Sequence, residues 1–267
     1  MAGSRDTARE VSGRVFGGER DTLLRAGDDL FALADLVDRN PQLRKALTDP
    51  ATATEAKREL LTDVVGGKVS APALAAADEV AGLRLHEAEL APLLDELAAE
   101  AFFAAAEQGG ELERVEDDVF RFARVYQGSP DLRSALTDPA LPADRKRALV
   151  DDLLSGRASD VTVRLIGELI GRRRTHDLDR ALAGLTSQAA ARRGRVVAEV
   201  RTAVELDPGR IERLAAALER EVGSPVELHV IVDPAVVGSL AVRVGDELYD
   251  GTVKRQLETV RERLLAG

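Results

Sequence analysis

The sequence contains no cysteine and no tryptophan, and aromatic residues make up only 3% of its 267 positions. A chain without cysteine forms no disulfide, holds no metal through thiolates and performs no thiol chemistry. A core with so few aromatic side chains must be built mainly from leucine, valine, isoleucine and alanine. The abundance of alanine, leucine, arginine and glutamate favours helices.

Long apolar runs and a surplus of positive charge are also missing. No stretch approaches the roughly 18 uninterrupted apolar residues that indicate a membrane-spanning helix, and residues 1–21 have no apolar segment typical of a signal peptide. We therefore expect no direct insertion into a membrane. The net charge of −10 argues against a general affinity for phosphate backbones, so nucleic acid is not an expected partner.

The three histidines do not suggest a metal or catalytic site. His86 begins the stretch HEAEL, which differs from the zinc motif HExxH because Leu90 replaces the second histidine. His176 is adjacent to Asp177, and neighbours on a helix point to different faces. His229 alternates with apolar residues in a predicted strand, which predicts a solvent-exposed side chain. We predict no catalytic residue, no cofactor and no metal, and therefore no enzyme.

An eleven-residue segment occurs twice with two differences, as PQLRKALTDPA at 41–51 and PDLRSALTDPA at 130–140. The same offset of 89 aligns about 55 residues without a gap, which predicts that a whole structural unit was duplicated. This segment and the helix that follows it contain the residues that define the repeat, called here the repeat signature. Its members are Pro41, Leu43, Leu47, Pro50 and Lys57 in the first copy, and Pro130, Leu132, Leu136, Pro139 and Lys146 in the second.

Both copies are predicted to be helical bundles. Apolar residues recur at helical spacing, Pro41 and Pro130 suit the first position of a short helix, and the Asp-Pro pairs suit its end. Gly109 and Gly110 mark a predicted boundary. We therefore assign residues 1–110 to an N-terminal bundle, the first copy, and residues 111–194 to a second, duplicated bundle, the second copy.

The two copies differ in surface charge. Residues 1–110 carry 12 basic and 20 acidic residues, whereas residues 111–194 carry 15 and 14. The second copy also contains the basic runs Arg172-Arg173-Arg174 and Arg192-Arg193. These runs are interpreted as solvated helix ends, with docking of an acidic partner segment as the alternative. A conserved apolar pattern with a changed surface is expected if the copies meet different neighbours, although drift would also produce it.

The pattern changes at residue 195. RVVAEVRTAV (195–204), VELHVIV (226–232), SLAVRV (239–244) and ELYD (247–250) read as strands, because they are rich in valine and partly alternate apolar with polar residues. Helices are predicted after Asp207 and over 251–265. The predicted fold class is mainly α: two tandem repeated helical bundles followed by a small α/β domain at 195–267.

The stretch HVIVDPAVVGSLAVRVGDELYDGTVKRQLETVRERL (229–264) resembles the C-terminal signature of the delta subunits of F-type ATP synthases, whose mitochondrial counterpart is the oligomycin-sensitivity-conferring protein. Ser239 and Thr252 are mild departures from it. The family's Leu-x-x-Pro loop and lysine-bearing helix match both copies, whereas most members have one bundle and actinobacterial relatives are enlarged. The signature positions are Asp233, Pro234, Gly238, Gly245, Asp250 and Gly251.

The resemblance implies a non-catalytic peripheral-stalk subunit, or stator. Such a subunit links the alpha/beta catalytic head to the b subunits and resists rotor torque during proton-driven ATP synthesis. The implied partners are the N-terminal helices of alpha and the C-terminal helices of b. The implied location is peripheral, on the cytoplasmic face of the cell membrane, without a cofactor. A free helical adaptor protein that binds partner helices is the alternative.

Overall fold

The computed structural model describes residues 4–172, 177–194, 196–222, 225–233, 241–244 and 247–250. By their contacts the residues divide into two compact units, Met1–Ala189 and Ala190–Gly267. The first unit is helical and the second contains a small sheet, so the predicted fold class, mainly α followed by a small α/β part, is confirmed. The assignment of residues 1–110 and 111–194 to separate domains stays a prediction.

Helices of the two copies begin and end at corresponding residues. The third, fourth and fifth helices of the chain have bounds that recur 89 positions later in the eighth, ninth and tenth. This agreement supports the predicted duplication. The helices of the first copy are α1 (Ser4–Val15), α2 (Arg20–Arg39), α3 (Pro41–Thr48), α4 (Thr54–Val65), α5 (Ala71–Ala81) and α6 (Glu87–Gln108). Those of the second copy are α7 (Leu112–Gly128), α8 (Pro130–Thr137), α9 (Ala143–Leu154), α10 (Asp160–Ile170) and α11 (Leu178–Arg192).

The turn after the short helix is fixed in the same way in each copy. The carboxylate of Asp49 accepts a hydrogen bond from the backbone N–H of Ala51 at 2.8 Å. Asp138 accepts the corresponding bond from Ala140, also at 2.8 Å. An aspartate that bonds the backbone two residues ahead stabilises a turn, and the following proline disfavours helical geometry before it. The Asp-Pro pair therefore ends the helix, as predicted.

The connection between α4 and α5 is repeated between α9 and α10. Gly67 and Gly156, which follow α4 and α9, have φ angles of 71° and 69°. Other residues seldom adopt this left-handed conformation, which is common just after a helix end. Each connection is then held to the bundle, because Asp29 accepts a hydrogen bond from the backbone N–H of Ser70 at 2.6 Å. Asp118 and Ser159 form the corresponding bond in the second copy at 2.8 Å.

Helix α6 belongs structurally to both copies. A shift of 89 residues places α1 on residues 93–104 within α6, and it places α6 on α11. In the folded chain α6 contacts α1, α2, α3 and α5, and it also contacts α7 and α10. Every residue from 97 to 106 is buried, as expected for a helix that is apolar on all sides. One continuous core therefore runs from Ala8 to Ala189.

The second unit is built on a four-stranded sheet with the strand order β2-β1-β3-β4. β1 pairs in parallel with β2, and the two pairs that involve β3 are antiparallel. A small core of Ala198, Val200, Leu218, Val226 and Val242 lies in this unit. Its elements are β1 (Val196–Thr202), α12 (Pro208–Val222), β2 (Val226–Val232), β3 (Ala241–Val244) and β4 (Glu247–Asp250). The predicted helix over 251–265 lies outside the described residues.

One sequence expectation for the second unit is wrong. His229 on β2 is buried, with 9% of its surface exposed, and is not a solvated strand residue. Its backbone pairs with that of Glu199 on β1. The expectation assumed a sheet with one wet face, whereas sheets with parallel pairing are commonly covered on both faces.

Candidate functional site

The repeat-signature residues build the short helix and the turn of each copy. Pro41 and Pro130 are the first residues of α3 and α8. The signature leucines face the core. Leu43 and Leu132 pack against it, and Leu47 and Leu136 are buried. The prolines of the turn, Pro50 and Pro139, are exposed. The signature therefore specifies a scaffold in both copies, and any difference in function must come from the residues around it.

The second copy has an open cleft beside its short helix, with a volume of about 590 Å³. Its walls come from the end of α8, the turn that follows, the start of α9, the end of α10 and the start of α11. Three signature residues, Leu136, Pro139 and Lys146, line it. Leu141, Ile170 and Leu178 add apolar surface, and the charged side chains among the described lining residues, Lys146 and Arg172, are cationic.

Two counterparts of the cleft residues lie in the core of the first copy. Leu47 and Ala81, the counterparts of Leu136 and Ile170, line a cavity of only about 10 Å³. The signature lysines of the two copies differ in exposure. Lys57 is buried with 5% of its surface exposed, whereas Lys146 is half-buried and lines the cleft. The two signature lysines therefore have different surroundings on the same scaffold.

The residues that follow α5 differ from those that follow the corresponding helix α10. In the first copy, Leu83 and Leu85 are half-buried and pack against the core. The offset of 89 places Arg172 and Arg174 at these positions in the second copy. A guanidinium group does not replace a leucine against an apolar wall, because its charge must remain solvated or paired. Leu83 therefore packs against the core of the first copy, whereas Arg172 makes its contacts elsewhere.

Arg172 is directed at the first copy. Its guanidinium donates a hydrogen bond to the carbonyl oxygen of Phe31 at 2.7 Å and lies over that ring, 4.5 Å from the centroid. It also forms ion pairs with Asp35 at 2.8 Å and with Asp95 at 3.0 Å. Only 2% of the Arg172 side chain is exposed. An almost fully buried cation that is shared by two carboxylates joins α2 and α6 to the second copy.

A second arginine strengthens the same contact. Arg164 on α10 forms an ion pair with Asp28 on α2 and lies 5.8 Å from the centroid of the Phe102 ring on α6. Burial raises the pKa of the Asp28 carboxyl, and the nearby Arg164 opposes that rise. Sequence reasoning treated the basic residues after α10 as a solvated helix end, and this interpretation is wrong for Arg172.

Little of the C-terminal signature lies in the described part of the chain. The backbone N–H of Asp233 donates a hydrogen bond to the carbonyl oxygen of Thr202 at 2.8 Å, which ties the end of β2 to the end of β1. Asp250 is the last residue of β4. Pro234, Gly238, Gly245 and Gly251 lie outside the described residues, and their predicted roles in turns and in entry to the last helix stay predictions.

Within the described ranges, no group of three or more histidine, cysteine or acidic side chains is arranged to hold a metal ion. In the same ranges no helix has the length and apolar character needed to cross a bilayer. His86 lies at the start of α6, where its backbone N–H donates to the Glu89 carboxylate at 2.7 Å. This arrangement is a helix start, which accounts for the stretch HEAEL in structural terms.

Comparison with known proteins identifies the family. A sequence profile described as the ATP synthase delta (OSCP) subunit matches residues 98–264, which is more than half of the chain. The chain belongs to the ATP synthase delta (OSCP) subunit family. Two relatives named ATP synthase subunit delta are those of Parafrankia sp., 44% identical over 99% of this chain and 96% of the relative, and of Frankia alni, 46% identical over 90% and 87%.

The match to the delta (OSCP) family begins inside α6. The first five helices therefore precede the residues that the family profile describes. Relatives named ATP synthase subunit delta also extend over these residues, since that of Salinispora arenicola is 40% identical over 98% of both chains. A chain of the Toxoplasma gondii mitochondrial ATP synthase hexamer has a TM-score of 0.40 and 18% identity, and covers 63% of this chain and 96% of that one. That likeness is too weak to bear on partners or mechanism.

Proposed function

We propose that this chain is a non-catalytic peripheral-stalk subunit of an F-type ATP synthase. It links the alpha/beta catalytic head to the b subunits and resists rotor torque while proton flow drives ATP synthesis. The observation that carries this proposal is the near full-length similarity to relatives named ATP synthase subunit delta. The function of such a subunit is mechanical, and no catalytic group or cofactor is required for it.

The internal contacts of the helical unit support a mechanical function. A stator must transmit force without yielding, and a flexible joint between its parts would allow the head to turn with the rotor. The two copies share α6 and one continuous core, and the buried Arg172 bridges them. Packed cores of this kind have low compressibility and transmit strain. The duplicated part therefore suits a static connection.

The proposed partners are amphipathic helices. N-terminal helices of alpha would dock on the helical unit, and C-terminal helices of b would dock on the C-terminal unit, each by placing an apolar face in a groove. Two contacts on one chain would strengthen each other through effective concentration. The chain would then sit peripherally at the cytoplasmic face of the cell membrane, held there by the enzyme complex.

The proposal is tested with membranes from the organism that have been stripped of this subunit. Adding the purified chain is expected to restore ATP-driven proton pumping, while the ATP hydrolysis rate of the isolated catalytic head stays unchanged. This result is expected of a subunit that couples ATP hydrolysis to proton pumping and performs no chemistry itself. A free helical adaptor, the alternative, would neither bind the head in sedimentation nor restore pumping, and either failure would refute the stator proposal.

A further inference from the structure

A second cleft, here called the junction cleft, lies where the two copies meet. It has a volume of about 520 Å³, and its walls belong to different copies. Arg20, Asp21 and Leu24 at the start of α2 line one side. Residues between 151 and 164, from the end of α9 to the first turns of α10, line the other. A segment bound there would therefore contact both copies at once.

The two arginines of the junction cleft already have carboxylate partners. Arg20 donates two hydrogen bonds to one oxygen of the Glu111 carboxylate, at 2.7 and 3.3 Å. Arg164 forms its ion pair with Asp28. Because both cations are compensated, the charge that the cleft presents to a partner comes from its other residues.

The other charged residues of the junction cleft are carboxylates. Asp151 and Asp160 are exposed and form no ion pair within the described ranges. Asp21 has 95% of its side chain exposed, with 3.9 Å between its carboxylate and the Arg20 guanidinium. Buried Leu24 and half-buried Val163 add apolar surface. Such a surface is complementary to a basic side chain with an apolar neighbour.

The position of Asp151 is not explained by the stability of its own helix. Asp21 and Asp160 lie in the first turns of α2 and α10, where a carboxylate interacts favourably with the helix dipole. Asp151 lies in the last turn of α9, which contains no basic residue. A carboxylate is unfavourable at that end of a helix. A residue that opposes its own element in this way points to a contact outside it.

The first copy shows that these charges are not needed for the fold of the connection. The helices α4 and α5 have bounds that recur 89 positions later in α9 and α10. The residues of the first copy that correspond to Asp151, Asp160 and Arg164 are uncharged, namely Thr62, Ala71 and Ala75. The charges therefore occur in the copy whose connection borders the junction cleft.

We propose that the junction cleft binds a basic side chain, arginine or lysine, and a neighbouring apolar side chain from another subunit of the ATP synthase. The basic group would pair with Asp151 and Asp160, and the apolar side chain would contact Leu24 and Val163. The inference rests on the proposed function for the source of this segment. It adds the place of contact and the chemistry that the place selects.

A site-specific cross-link identifies the bound segment. The chain contains no cysteine, so Ser155→Cys introduces a single thiol at an exposed residue that lines the cleft. The variant is labelled with benzophenone maleimide, bound to membranes stripped of this subunit and irradiated. We expect an adduct with another ATP synthase subunit, through a peptide in which arginine or lysine lies beside an apolar residue.

The control for the cross-link is Thr62→Cys, at an exposed position on α4 of the first copy. It should not label the same peptide. Two results would overturn the inference while the labelled chain still binds the membranes. One is the absence of an intersubunit adduct from Ser155→Cys, and the other is an adduct with a peptide that contains no basic residue.

Charge reversal tests the role of Asp151. Asp151→Lys is expected to bind the stripped membranes about tenfold more weakly than wild type, because a cation would then face the bound cation. The matched control is Asp152→Lys, its exposed neighbour in the last turn of α9, which is not among the residues that line the cleft. Asp152→Lys should bind as wild type does.

Thermal unfolding separates binding from folding in these variants. Both replace a carboxylate by a base near the end of α9, so both should melt at the wild-type temperature or above it. Weaker binding by Asp151→Lys alone, without a lower melting temperature, is the expected result. Equal binding by the two variants would refute the assignment to this cleft.

The same experiments distinguish this inference from the proposed function. If wild type and Asp151→Lys bound equally and both restored proton pumping, the junction cleft would not be a docking site, although the stator function would stand. If the wild-type chain did not bind the stripped membranes, the proposed function would fail. The inference would then fail with it, because it names a segment of the same enzyme.

Discussion

Gly27 on α2 and Phe102 on α6 are in close contact, because a Cβ atom placed on Gly27 would lie 2.5 Å from a ring carbon of Phe102. Phe102 is fully buried and also lies next to Phe31, with 6.0 Å between the ring centroids. The ring therefore has little room to move. The counterpart of Gly27 in the second copy is Glu116, a much larger residue.

We expect Gly27→Ala to lower the free energy of unfolding by about 1–3 kcal/mol, the usual cost of overpacking a well-filled core. Denaturant titration followed by circular dichroism measures the change. Gly13→Ala is the matched control, since Gly13 lies in α1 with no atom within 4 Å of an added Cβ. It should be neutral or stabilising by up to about 1 kcal/mol, because alanine favours the helix. A neutral Gly27→Ala would show that the ring can yield.

We expect Arg172→Met to destabilise the helical unit by about 3 kcal/mol, the lower end of the range for removing one partner of a buried ion pair. The lower end applies because Asp35 and Asp95 keep 36% and 25% of their side chains exposed. Thermal unfolding measures the loss. Arg14→Met, which removes an exposed pair with Glu79, should leave the melting temperature nearly unchanged. Equal effects of the two substitutions would refute a special role for Arg172.

The carboxyl group of Glu96 predicts that the stability of the folded chain depends on pH. Burial raises the pKa of its carboxyl above the ordinary value of 4.5, although the Ser4 hydroxyl and Arg5 oppose this rise. The folded chain then binds the proton more readily than the unfolded chain, so stability decreases as the pH rises from 4.5 through the raised value. Glu96→Gln removes this loss. Its stability relative to wild type is expected to be greater at pH 7 than at pH 4.

The control for Glu96 is Glu59→Gln, a substitution at an exposed position on α4. Its stability relative to wild type should change little between the two pH values. Urea titrations at pH 4 and pH 7 provide the comparison for both variants. If the advantage of Glu96→Gln were the same at both pH values, burial of the carboxyl would not control its ionisation.

The shared helix α6 predicts which fragments of the chain can fold cooperatively. A fragment of residues 111–194 lacks α6, so the apolar faces of α7 and α10 that contact it would be exposed. We expect this fragment to show no cooperative thermal transition. A fragment of residues 87–194 retains α6 and should unfold cooperatively, as circular dichroism would detect. Cooperative unfolding of 111–194 with full helix content would show that the second copy is complete without α6.

The parts of the fold that the sequence predicted well depend on local signals. The prolines that begin α3 and α8, the Asp-Pro turns and Gly67 or Gly156 act within a few residues of their own position, and the offset of 89 carries them from one copy to the other. The shared role of α6 could not be predicted in this way. A helix that is apolar all round shows no periodic face, so Gly109 and Gly110 were interpreted as a boundary between units.

The cleft was missed for a related reason. The sequence does show that Leu83 is exchanged for Arg172 between the two copies. The sequence alone does not show which side chains line a cleft, because that depends on how the helices pack. It also does not show where a long arginine points, and Arg172 reaches residues more than 70 positions away in the chain.

The double use of α6 limits how such a chain can lengthen during evolution. Because the last helix of one copy is also the first helix of the next, a further duplication would add five helices rather than six. The breakpoints would have to fall at equivalent points of the repeat, so that each junction helix kept apolar residues on both sides. Helix α11, the last helix of the repeated part, does not need apolar residues on both sides. Growth by whole repeats is therefore permitted, whereas insertion of a partial repeat would leave a core helix facing water.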